Sequence, residues 1–171
     1  AEPLKENGIF KELSFGDTVY YSSANTMGSF LNGEYLSNGY YLTEEQVNMM
    51  VDNTTWYLGE VGVGKSYKLA KYADTSMSEC ATTTNAKVGL LRLGELMAGQ
   101  FDVFENNSYY WTLTPYTSIS VRLVHAQGYA HSSYSPTATF GIKPSLNLKS
   151  DVIITGGDGT LQNPFSIELA S

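Results

Sequence analysis

The last third of the chain constrains the fold most. From Tyr109 to Leu169 the apolar runs are short, and turn residues recur every eight to twelve positions, the spacing expected of sheet structure. An aromatic run, Tyr-Tyr-Trp-Thr-Leu-Thr-Pro (109–115), stops at a proline. Ile119, Val121 and Leu123 then alternate with Ser120 and Arg122, which predicts a half-buried strand with side chains on alternating faces. Ala126-Gln127-Gly128 reads as a hairpin turn. Ile142, Leu146 and Leu148 alternate around Pro144, and a proline in a strand marks an edge or a bulge. The run Gly-Gly-Asp-Gly-Thr-Leu-Gln-Asn-Pro-Phe (156–165) supplies a final Gly-rich turn before the chain ends. Such a segment suits a display scaffold and holds no recognisable reaction centre.

The preceding residues add helices. Thr43-Glu-Glu-Gln46 has capping-box spacing, and Val47, Met50 and Val51 fall three and four apart, so a helix is expected from Thr43 to about Asp52-Asn53. Ser66–Ala73 and Arg92–Ala98 are further helix candidates, the second with Leu93, Leu96 and Met97 on its apolar face. Thr18–Ser22, Tyr40–Leu42, Thr54–Leu58 and Lys87–Leu91 read as short strands. Phe15-Gly16-Asp17, Asn32-Gly33 and Asn38-Gly39 read as turns, and Asp74–Asn85 as an exposed loop. The fold class is therefore α+β, with short mixed or antiparallel strands, two or more helices and long irregular loops. The 171 residues are expected to form a single domain, 1–171.

Composition narrows the partners. Charged residues make up only 16% of the chain, and the formal net charge is −7. That balance argues against nucleic acid, whose phosphates are bound by Lys and Arg, and against adsorption to anionic lipid. No apolar run approaches the roughly 20 residues of a membrane-spanning helix. A secretion signal or anchor is expected to have been removed ahead of Ala1. Cys80 is the lone cysteine, so no intrachain disulfide can form. With 13 tyrosines against two histidines, a disulfide-free protein outside the cell is the favoured setting.

One motif points elsewhere. Gly59-Glu-Val-Gly-Val-Gly64-Lys65-Ser66 satisfies the phosphate-loop pattern, in which backbone N–H groups cradle phosphates, Lys65 reaches the terminal one and Ser66 ligates magnesium. The alternative reading is thus a nucleotide-binding enzyme using Gly59–Ser66. Against it, the preceding Thr-Thr-Trp-Tyr-Leu is aromatic and mixed, unlike the Val/Ile/Leu runs of a parallel sheet. No apolar run ending in Asp follows to hold magnesium, and 16 glycines make a chance match unremarkable. Cys80 lies in a Thr-rich polar stretch that nothing places near His125 or His131, so no nucleophilic pair is expected. The two histidines lack a metal-ligand spacing, and Asp151 and Asp158 lack the alternating oxygen donors of a calcium loop. No catalytic residue, cofactor or metal is expected.

The aromatic and polar cluster carries more. Tyr109, Tyr110, Trp111, Tyr116, Arg122, His125, Tyr129, His131 and Tyr134 fall within 26 positions. Tyr and Trp give large contact area at low conformational cost, and Arg and aromatic side chains anchor interfaces. By alternation Trp111 and Tyr109 face inward. The expected binding face is Tyr116, Arg122, His125, Tyr129, His131 and Tyr134, with protein or glycan as ligand.

In these residues the chain resembles a family of bacterial, mostly Firmicute, surface-associated domains of the DUF6273 type, allied to the C-type-lectin-like and formylglycine-generating-enzyme-like fold. The matching elements are Thr55-Trp-Tyr-Leu-Gly59, Ala86-Lys-Val-Gly-Leu-Leu91, Tyr110-Trp-Thr-Leu-Thr-Pro115, Gly141-Ile-Lys-Pro144 and Ser150-Asp-Val…Gly157-Asp-Gly-Thr160…Asn163-Pro164. They span about residues 54–169, and Lys143 stands where similar sequences carry Arg. The resemblance implies a lectin-like scaffold displaying loop residues toward protein or glycan, in an exported, pilus-associated or cell-wall protein. It implies neither relative's special chemistry: the catalytic cysteines of the formylglycine-generating enzymes and the glutamate-proline-asparagine signature of calcium lectins are not recognisable. The expectation is a non-enzymatic adhesion module, with assembly alongside other surface subunits as a structural alternative.

Overall fold

The computed structural model describes residues 3–58, 61, 83–98, 107–160 and 162–170. Strands β1 (Lys5–Glu6), β2 (Ile9–Phe10) and β3 (Glu12–Ser14) lead into a helical stretch of α1 (Thr26–Ser29), a π-helical turn (Phe30–Glu34) and α2 (Tyr35–Ser37). Then come α3 (Glu44–Asn48), β4 (Thr54–Tyr57), β5 (Thr83–Ala86), β6 (Val88–Gly89) and α4 (Leu93–Ala98). The remainder is strand: β7 (Tyr110–Thr117), β8 (Ser120–Val124), β9 (Ala130–Tyr134), β10 (Thr139–Gly141), β11 (Ser145–Leu146), β12 (Val152–Gly156) and β13 (Ser166–Leu169). The architecture is mixed α+β, mostly strands with a few short helices.

A five-stranded sheet in the order β3-β10-β7-β8-β9 organises the molecule. Its pairings are antiparallel except for β10 with β7, which run parallel at Gly141 opposite Tyr110. Two-stranded pairs β1-β2, β4-β5, β6-β11 and β12-β13 surround it. One face of β7 and β8 presents Trp111, Leu113, Val121 and Leu123 to the main core, which also holds Phe15, Tyr21, Met27 and Leu31. The opposite face sets Tyr110 and Val124 against Leu93 of α4. Each such side chain, fully buried, contributes about 1.5–3 kcal/mol. Strand β8 is thus covered on both faces, not half-buried as its alternation predicts, because α4 and a buried Arg122 occupy the side expected to be wet.

The long-range ties are polar. Asn32 Nδ2 lies within donating distance of Tyr21 Oη (2.9 Å), Gly28 O (3.1 Å) and Val88 O (3.0 Å), while its Oδ1 accepts from Val88 N (2.9 Å). Tyr21 Oη donates to Val88 O at 2.6 Å. Burial pushes the Tyr21 phenol up to about 12, against a smaller opposing effect of the Asn32 hydrogen bond. Asn32 therefore joins the helical stretch to β6. Trp56 Nε1 donates to Ala86 O (3.0 Å), and its ring lies over Gly89, where a Cβ would come within 2.6 Å of Cδ2.

Several expectations hold and several do not. The capping box of α3 forms in both directions, Gln46 N to Thr43 Oγ1 (3.2 Å) and Thr43 N to Gln46 Oε1 (2.9 Å). The helix ends at Asn48, earlier than its periodicity predicts, because Met50 bridges to Leu148 and Val51 N donates to Asn147 O. Asn32-Gly33 lies inside the π-helical turn and is not a loop. Neither 18–22, which buries Val19 and Tyr21, nor 40–42, where Tyr40 is exposed and Tyr41 and Leu42 are half-buried, joins any ladder. Thr83–Asn85, expected in a loop, pairs with β4. The helix candidate Ser66–Ala73 and Cys80 lie outside the described residues.

Candidate functional site

The β8–β9 hairpin is built by its turn. His125 N donates to Tyr129 O (2.8 Å) and Gly128 N to His125 O (2.8 Å). Gly128 has φ +90, a backbone region that favours glycine. The Gln127 N–H donates to His125 Nδ1 (3.0 Å), so the imidazole closes the turn it begins. Across the hairpin Leu123 faces His131 and Val121 faces Tyr134, with a register shift between Arg122 and Leu123. Directly paired residues share a face. His131 and Tyr134 therefore emerge on the main-core side, at the sheet's β9 edge.

There a row of rings forms. Tyr129 stacks on His125 (centroids 4.2 Å, 13°), His125 on His131 (5.5 Å, 27°) and His131 on Tyr134 (5.7 Å, 20°). Tyr109 meets both imidazoles edge-on, at 4.5 and 5.5 Å. Phe140 closes the row from below, touching Tyr134 (4.9 Å), Tyr109 (5.8 Å) and the buried Trp111 (5.1 Å). Trp111 in turn meets Phe15 (5.6 Å), so ring contacts run unbroken from the core to solvent. Tyr129 is 48% exposed and Tyr134 42%. Because the inner rings spend their faces on one another, the row offers ring edges, tyrosine hydroxyls and the outer face of Tyr129.

The six sequence-predicted residues do not share one surface. His125, Tyr129, His131 and Tyr134 are brought together. Arg122 and Tyr116 sit on the other side of the sheet, the side of Tyr110 and Val124, with the guanidinium carbon 3.7 Å above the Tyr116 ring. Arg122 is only 7% exposed, and its Nη1 donates to His131 O (3.3 Å). That pair braces the sheet beneath the row. Tyr109 and Phe140 join the row although sequence reasoning turned Tyr109 inward and passed over Phe140. Parity with Trp111 gives the face of Tyr109 but not its distance from solvent, and nothing local signals that β10 lies beside β7.

Electrostatics sharpen the row. Burial, and secondarily the neighbouring His125, hold the His131 imidazole below the ordinary 6.5, so its neutral form is favoured. On the other face, burial pushes the Tyr110 phenol up to about 12.

The remaining candidates are quickly placed. Of the phosphate-loop residues only Val61 is described, and the strand that leads into the loop, β4, pairs antiparallel with β5. Phosphate-loop folds use a parallel sheet at this point. Asp158 is engaged in its own turn, its Oδ1 accepting from Thr160 N (3.0 Å). Among the described residues no group of three or more His, Cys, Asp or Glu is arranged to hold a metal ion. No described helix is long and apolar enough to cross a membrane. Searches against protein-family models, curated proteins and solved structures return no significant match.

Proposed function

We propose that this chain is a non-enzymatic recognition module of a bacterial surface or pilus-associated protein, with a C-type-lectin-like scaffold, and that it binds protein or glycan through the ring row. The reading rests above all on the continuous stack Tyr129–His125–His131–Tyr134 at an exposed sheet edge. Rings locked against one another lose little conformational freedom when a ligand arrives, and the tyrosine hydroxyls supply directional hydrogen bonds. The binding residues are therefore Tyr109, His125, Tyr129, His131 and Tyr134, with Arg122 and Tyr116 acting from below as a brace.

The test is an array of glycans and host surface proteins, probed with wild type, Tyr129→Ala, Tyr134→Ala and, as control, Ile119→Ser on the distant β7–β8 turn. A ligand bound by wild type and by Ile119→Ser should be lost by both tyrosine variants, each truncation costing on the order of 1–2 kcal/mol, as interface anchors do. Binding that neither tyrosine variant changes would remove the row from the reading.

A further inference from the structure

A second cleft opens where β4, the start of α4 and β11 converge. It holds about 170 Å³, with the buried Leu113 of β7 among its lining residues, and shares no described residue with the ring row. All four residues of β4, Thr54–Tyr57, line it. Successive side chains of a strand point to opposite sides, so β4 meets the cleft along an edge. Its pairing with β5 uses the other edge.

The walls are polar, and their charges offset. Of the described residues that line the cleft, Arg92 and Glu95 are the charged ones. Arg92 is only 5% exposed. Its Nη2 lies 3.7 Å from Glu95 Oε1, while Glu95 Oε2 accepts from Arg92 N (2.9 Å) and so caps the start of α4. Across the cleft, Asn147 Nδ2 donates to Thr54 Oγ1 (3.3 Å), which fixes the amide at the rim. Thr55 and Ser145 add hydroxyls, and Leu91 with Leu113 adds apolar surface.

That mixture selects a ligand by its chemistry. A simple ion would attract one member of the Arg92–Glu95 pair and repel the other. A neutral polyol meets no such conflict, since adjacent hydroxyls can donate to a carboxylate and accept from a guanidinium or an amide. The volume is that of a handful of water molecules at ~30 Å³ each, which suits one ring and not a chain. We propose that this cleft is a saccharide subsite, holding one neutral sugar residue by its hydroxyls through Glu95, Arg92, Asn147 and Thr55, with the C–H surface of the ring toward Leu91 and Leu113. The site goes beyond the ring row and stands or falls without it.

Isotope-labelled protein tests this by titration with the methyl glycosides of glucose, galactose and N-acetylglucosamine, and separately with acetate and glycine, followed by amide shifts. At least one glycoside should bind saturably in the millimolar range and move amides in 54–57, 92–95 and 145–147, while acetate and glycine move none. Thr55→Val and Asn147→Ala, both at exposed positions, should each weaken that binding about tenfold. Glu95→Gln keeps an oxygen to cap α4 and should weaken it too. Tyr129→Ala, in the ring row, should leave it unchanged. Silence from all three glycosides, or binding that Thr55→Val and Asn147→Ala do not alter, would overturn the proposal. So would shifts at these amides with acetate, which assign the cleft to an anion, or with glycine, which assign it to an amino acid.

Discussion

The centre of the five-stranded sheet and the C-terminal ribbon are both antiparallel pairs rich in β-branched residues, yet they are stabilised in opposite ways. Strands β7 and β8 are covered on both faces, by the main core and by α4, and even Arg122 and Thr112 are buried there. Strands β12 and β13 carry Ile153, Ile154 and Ile167 at comparable density, and these side chains stay exposed. The segment leading into the ribbon is tied to the body by two backbone bonds, Val51 N to Asn147 O and Lys149 N to Met49 O, both 2.9 Å. Strand composition says that a segment will extend; only the second layer decides whether extension buries anything. The sheet completes its core internally, whereas the ribbon leaves its apolar surface exposed.

The sharpest way to break the comparison is at the centre. Trp111→Ala should destabilise the protein by about 3–5 kcal/mol, the usual result of emptying a large core site, and denaturant melting reads this directly. It would also strip Phe140 of its support and loosen the ring row. Gly89→Ala should follow, costing about 1–3 kcal/mol, since the new methyl would collide with the indole of Trp56. In the ribbon, Gly157→Ala meets two obstacles, a φ of +79 and the Pro164 carbonyl oxygen only 2.0 Å from the new carbon. The expected outcome is local: amide exchange in 152–156 and 166–169 accelerates while exchange in 110–124 is unchanged. A common drop in protection across both regions would show that ribbon and sheet unfold as one unit.

The smallest effect is the titration of the row. His131 carries a folded-state pKa depressed below 6.5, so the unfolded chain binds the proton more readily. Its contribution to stability is complete above pH 6.5 and is lost as the pH falls below that value through the folded pKa. Proton NMR of the imidazole should give the depressed value, and His125→Phe should raise it by removing the neighbouring imidazole. An unchanged His131 titration in that variant would leave burial as the whole cause.

The sequence made the hairpin legible and left its surroundings dark. Alternation at Val121 and Leu123, with Gly128 at the turn, placed β8 and its hairpin correctly, and the Thr43/Gln46 box placed the start of α3. Val19 and Tyr21 look like strand residues because burial alone produces an apolar run, with or without a ladder partner. The division of Arg122 from His131 rests on a bulge, which shifts one strand by a residue and leaves no mark in composition. Asn32-Gly33 reads as a turn in isolation, and its bonds to Val88, 56 residues away, tie it into a helical stretch that no local signal announces.

That last segment has a bearing on how the protein ages. An asparagine followed by glycine is the pair whose side-chain amide is most easily lost in an open chain, because the unhindered glycine nitrogen attacks it and releases ammonia. Here Asn32 and Gly33 are held in the π-helical turn, and the side-chain carbonyl oxygen of Asn32 is already engaged by Val88 N. Were the amide converted to a carboxylate, a negative charge would face the carbonyl oxygens of Gly28 and Val88. The rate of that chemistry is therefore a clock set by how often the turn opens, and the protein would keep its shape for as long as Asn32 keeps its nitrogen.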